Sequence, residues 1–178
     1  MSDDKKEPWL NLLALTTVIF AVCATLSTFK AGGFSTKSVI SQAQASDQWS
    51  YFQAKNLRGN LYKLQVEKLQ LDSSVLPRAT EPEIRERYAK AIRDAESSVR
   101  KYESEKAEIQ KAAKALEAKR DDAQRHGGPF GIAVIFFQVA ILISSVAGLF
   151  KRKALWYLSL PIGIVGLLYF ANGFFLFF

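Results

Sequence analysis

Apolar and polar positions alternate along this chain on the scale of whole segments. Trp9–Phe29, Phe130–Phe150 and Ala154–Phe178 contain no charged residue. Each is close to the ~20 residues a helix needs to cross a bilayer. Between the first two lies a charged stretch whose apolar residues recur at steps of three and four. Ile40, Ala43, Ala54, Leu57, Leu61, Leu64 and Leu71 keep that step in its first half, interrupted by Asp47, Ser50 and Lys68. Tyr88, Ile92, Ala95, Val99, Tyr102, Ile109, Ala113, Leu116 and Ala123 keep it in the second, interrupted by Lys106 and Arg120. A stripe of that spacing is the seam of a coiled coil.

Ser73-Ser74-Val75-Leu76-Pro77-Arg78-Ala79 separates the halves with turn chemistry, because Pro77 disfavours helix at Leu76. Thr80 and Glu83 have the spacing of a capping box for the second half. Folding back near Leu76 sets Trp49 and Phe52 opposite Val99 and Tyr102, and Tyr62 opposite Tyr88–Ile92. Gly32-Gly33 and Gly127-Gly128-Pro129 read as hinges, and Ser35 as a helix cap. The predicted fold is all-α: a membrane protein with three transmembrane helices and a long extramembrane antiparallel hairpin. Its parts are a tail at 1–8, spans at 9–29, 130–150 and 154–178, the hairpin at 30–129 with its turn near 73–80, and a basic loop at 151–153.

Charge sharpens this division. Lys30–Pro129 holds 19 of the 24 basic and 14 of the 17 acidic residues, so a mean hydropathy near zero averages two unlike populations. Interspersed signs mark a solvated helix face, and no groove-reading motif accompanies them, which argues against nucleic acid as a partner. The first apolar run exceeds the ~7–15 residues of a signal-peptide core and reads as an anchor. Lys151-Arg152-Lys153 is a compact basic loop of the kind retained in the cytoplasm. The amino terminus is then cytoplasmic, and the hairpin lies on the far side of the membrane.

Each span carries a stripe of small residues, which lets helix backbones approach closely. Ala14, Thr17, Ala21, Ala24 and Thr28 form the first; Ala133, Ala140, Ser144, Ala147 and Gly148 the second; Ser159, Gly163, Gly166 and Gly173 the third. We expect the first stripe, with Gly163 and Gly166, to serve helix packing or an oligomer contact. Gln138 and Asn172 are candidate interhelical hydrogen-bonding groups. Chemistry is sparse. His126 is the only histidine and lacks partners for a metal shell. Lys30–Ser38 misses the glycines of a phosphate-binding loop. No catalytic, cofactor-binding or metal-ligating residue is expected.

Gln44–Arg58 reads QASDQWSYFQAKNLR, and Trp49, Tyr51, Phe52, Lys55 and Arg58 within it form a candidate interaction face. With this motif, the preceding span, the charged hairpin and the two closing spans, the chain resembles a bacterial family known as domain of unknown function 4337. The resemblance covers nearly the whole chain. It implies a bacterial membrane protein and brings no activity with it.

The expected function is a non-enzymatic, homo-oligomeric structural or interaction scaffold. Its partners are the lipid bilayer, further copies of the chain and a protein bound at the hairpin. The alternative is an oligomeric conduit lined by Asn11, Thr16 or Thr17, Cys23 and Ser27 of the first span. The orientation is tested with a reporter active only outside the cytoplasm. Activity is expected at Ser74 and after Phe178, and silence within 151–153; the reverse pattern inverts the topology.

Overall fold

The computed structural model describes residues 8–77 and 80–178. The predicted tail at 1–8, apart from Pro8, lies outside them, as do Arg78 and Ala79 of the predicted turn. The chain is all-α: α1 is Pro8–Ser74, α2 Pro82–Leu149 and α3 Lys153–Phe175. Each of the three is long and apolar enough to cross a membrane.

Two expectations about helix breaks are corrected. α1 passes through Gly32-Gly33 and Ser35, and α2 through Gly127-Gly128-Pro129, without interruption. Neither glycine pair takes a positive φ, so each costs only the ~1 kcal/mol of an ordinary helical glycine. Pro129 removes one backbone donor, and packing around it offsets the loss. The Phe34 ring stacks between His126 and Phe130, at 5.3 and 6.0 Å. A Cβ at Gly127 would sit 3.1 Å from that of Phe34, so the missing side chain permits the close approach. The capping box is also absent. Thr80 Oγ1 donates to the Pro77 carbonyl at 2.7 Å. Glu81 instead accepts from the amides of Ile84 and Arg85, and Pro82 takes the first helical position, where a missing N–H is harmless.

The described residues divide into two compact units, one within 1–40 and 119–178 and the other within 41–118. In the first, Trp9, Leu13, Ala147 and Trp156 cluster together, as do Phe20, Ala133, Phe137 and Ala140. α3 meets these rings with glycine. A Cβ at Gly163 would overlap the Phe20 ring, one at Gly166 that of Phe137, and one at Gly173 that of Phe130. The buried hydroxyl of Ser144 donates to Ser159 at 2.8 Å and ties α2 to α3.

The α2–α3 connection is equally local. Lys151 takes a left-handed φ of 50°. Its amide bonds to Gly148 and that of Arg152 to Ala147, the paired pattern of a Schellman turn. Asn172 is spent within its own segment rather than between helices. It holds Phe178 by two hydrogen bonds, at 3.0 and 3.1 Å. Gln138 is exposed.

Gly163→Ala should therefore destabilise the protein by about 1–3 kcal/mol, the usual cost of overpacking. Gly32→Ala, with nothing within 4 Å of the added carbon, should be neutral or stabilising. Reversible unfolding in mixed detergent compares the two variants, and equal stability would refute the glycine–ring packing.

Candidate interaction surfaces

In the unit of residues 41–118, α2 uses the predicted stripe. Ala95, Ile109 and Ala113 are buried, and Tyr102 and Leu116 are half-buried. α1 does not use its own predicted stripe. Ala43, Ala54, Leu57, Leu61, Leu64 and Leu71 are all exposed, as is Ile40 in the other unit. The covered positions of α1 are instead Ser41, Ala45, Gln48, Trp49, Phe52, Lys55, Asn56, Gly59, Tyr62, Val66, Leu69, Asp72 and Ser73, which keep the same three-four step on another face.

That face is aromatic and polar, and its contacts can be followed residue by residue. Trp49 Nε1 donates to Glu117 Oε1 at 2.8 Å. Lys106 Nζ donates to Asn56 Oδ1 at 2.9 Å, lies 5.9 Å from the centre of the Phe52 ring and pairs with Glu103 at 2.9 Å. Lys63 reaches the same carboxylate at 2.8 Å. Lys55 pairs with Glu105 at 2.7 Å and lies over the rings of Tyr51 and Tyr102, 5.2 and 5.3 Å away. Tyr62 stacks on Tyr102 at 5.6 Å, where Gly59 leaves room for its Cβ. As α1 numbers rise through 49, 56 and 62, the α2 partners fall through 117, 106 and 102.

The register differs from the one expected. Tyr62 meets Tyr102 rather than Tyr88–Ile92, and Trp49 meets Glu117 rather than Val99 and Tyr102. Arg85 Nη2, in the first turn of α2, donates to the Pro77 carbonyl at 2.8 Å.

Of the candidate face, Trp49, Phe52 and Lys55 are half-buried by these contacts, while Tyr51 and Arg58 stay exposed. In the small-residue stripe, Ala14, Ala21 and Thr28 are exposed, and Thr17 and Ala24 half-buried. Gly163 and Gly166 are buried inside the chain. Ala133, Ala140, Ser144, Ala147, Ser159 and Gly173 are buried too, so the second and third stripes pack mainly within one chain and the first does so only in part. The residues of the conduit reading do not share an open face. Thr16 Oγ1 accepts from Trp156 Nε1 at 3.1 Å, Ser27 is fully buried, Cys23 is half-buried and Asn11 is exposed.

His126 sits at the ring cluster of the other unit. Its Nδ1 lies 2.8 Å from the Gly173 carbonyl, which fixes that nitrogen as the protonated donor. Among the described residues, no group of three or more His, Cys, Asp or Glu side chains is placed to hold a metal ion.

The motif of residues 44–58 thus forms one side of a helix–helix contact. A family model described as domain of unknown function DUF4337 matches residues 9–176. The chain belongs to this family. No curated protein and no solved structure matches it. In this DUF4337 chain the QASDQW motif supplies Ala45, Gln48 and Trp49 to the contact, and the residues after it supply Phe52, Lys55 and Asn56. Sequence reasoning missed that role for Gln48, Asn56 and Gly59, because only apolar residues were used to trace the stripe.

The ion pairs set a pH dependence. Lys63, and then Lys106, hydrogen-bond to Glu103 and hold its carboxyl below the ordinary 4.5. Lys55 does the same for Glu105. Glu105, followed by Tyr51, raises Lys55 above 10.5. The carboxylates contribute stability above their unfolded value and lose it as pH falls through the lower folded values. Lys55 contributes below its unfolded value and loses it as pH rises through the higher folded one. Thermal melting followed by helical circular dichroism should therefore be flat at neutral pH and fall on acidification below about 4.5. The double variant Glu103→Gln, Glu105→Gln should be less stable at neutral pH and less sensitive to acid. An unchanged acid profile would show that these pairs contribute nothing.

Proposed function

We propose that this protein is a non-enzymatic, membrane-anchored scaffold that assembles from several copies of itself. In this reading the three apolar helices span a bacterial inner membrane. Residues 30–129 form an antiparallel, coiled-coil-like hairpin on its outer side. The falling order of α2 partners along α1 supports the hairpin, and the charge-free spans support insertion, since a charged side chain at the bilayer centre is costly.

The observation that carries self-association is the exposed stripe of Ala14, Ala21 and Thr28. In lipid, apolar side chains gain nothing by meeting one another, so helices associate where small residues allow dense contact. The stripes of α2 and α3 are largely consumed within the chain, whereas this one remains open on α1. The half-buried part of the motif acts within the hairpin, which leaves Tyr51 and Arg58 as its outward-facing members for a protein partner.

Ala14→Leu with Ala21→Leu should disperse the assembly while the helical content stays unchanged. Both positions are exposed within one chain, unlike Ala24, which packs beside the Phe20 cluster. Native mass spectrometry in nanodiscs gives the subunit number. A wild-type protein that is monomeric in several mild detergents and in nanodiscs overturns the reading.

A further inference from the structure

Leu57, Leu61, Leu64 and Leu71 of α1 are 63, 57, 60 and 68% exposed, and Val75 just beyond its end is 78% exposed. With Ala54 and Lys68 they form an unbroken alternation of three and four residues from 54 to 75. By helical period this stripe lies on the side of α1 away from Lys55, Gly59, Tyr62 and Val66, the positions covered by α2. Apolar side chains confined to a 3.5-residue period match another helix of the same period, which alone keeps the seam in register along its length. A bilayer does not suit them, because Arg58, Glu67 and Asp72 flank the stripe and Lys68 lies within it.

We infer that the occupant is a second copy of this chain, whose α1 packs in parallel on this α1 from Ala54 to Val75. This inference rests on the homo-oligomeric reading and adds the surface outside the spans. Three features select the second copy. Within residues 82–118 of α2 only Ile84 is an exposed large hydrophobic, so α2 of a neighbour offers no matching stripe, and only the α1 stripe against itself does. A two-fold axis makes such a contact self-complementary, and copies inserted in one membrane with one topology have their α1 helices parallel. Charge agrees with that direction. Leu57, Leu64 and Leu71 take the d positions, Ala54, Leu61, Lys68 and Val75 the a positions, and Glu67 a g position. In a parallel pair the a-position Lys68 of each copy lies beside Glu67 of the other. Neither residue makes an ion pair among the described residues. A single lysine at an a position also fixes register.

The test uses the full-length protein in nanodiscs with Cys23→Ser. Leu64→Cys should give a rapid disulfide-linked dimer under mild oxidation. Gln70→Cys, exposed on another side of the helix, should not. Leu57→Gln with Leu64→Gln should raise the concentration for half-dissociation about tenfold or more. Added to that pair, Gly59→Cys and Tyr102→Cys should still close an intrachain disulfide, since their Cβ positions lie 3.5 Å apart, which reports that α1 and α2 remain packed. Equal crosslinking at 64 and 70, or an assembly indifferent to the Leu→Gln pair, overturns this interface while leaving self-association through the spans intact. A monomeric wild-type protein overturns both. A complex whose mass is one copy plus a different protein overturns the second copy as occupant.

Discussion

Close approach of glycine backbone to aromatic rings is the constraint on which the three-helix packing depends. Phe20, Phe137 and Phe130 point at Gly163, Gly166 and Gly173, and no Cβ fits at any of the three. These contacts set the distance of α3 from α1 and α2 at three levels along its length. They matter because nearly every side chain in these segments is apolar, so hydrophobicity alone does not discriminate one face from another. Shape discriminates, through glycine against phenylalanine and through a few paired polar groups such as Ser144 with Ser159.

A second rule governs the charged unit. There α2 presents Ala95, Ile109 and Ala113, and α1 answers with Trp49, Phe52, Lys55, Asn56 and Tyr62. The lysines pass over aromatic rings to reach Glu103 and Glu105, so their methylene stems cover apolar surface while their ammonium groups are paired. Such a seam fixes register by geometry and charge more than by buried area. It also frees the leucines of α1 to face outwards.

α1 is therefore a helix with more than one working side. The side covered in each unit holds its own chain together, and Ala14, Ala21 and Thr28 or Leu57, Leu61 and Leu64 remain uncovered. These uncovered sides of α1 are the surfaces on which the proposed self-association rests.

The sequence by itself determined the all-α class, the three apolar helices, the break near 73–80 and the covered stripe of α2. Each follows from composition or periodicity, which act locally. It misled where local and tertiary preferences competed. Gly32-Gly33 and Gly127-Gly128-Pro129 carry the signals of helix ends, yet packing of Phe34 with His126 and Phe130 accompanies an unbroken helix at the second site. The leucine stripe of α1 was visible, but its partner was not. Periodicity shows that a face is apolar without showing which helix covers it. Only the tertiary structure decided that α2 takes the aromatic and polar face, because that choice depends on the fit of Gly59 to Tyr102 and on ion pairs between residues some fifty positions apart, such as Lys55 and Glu105.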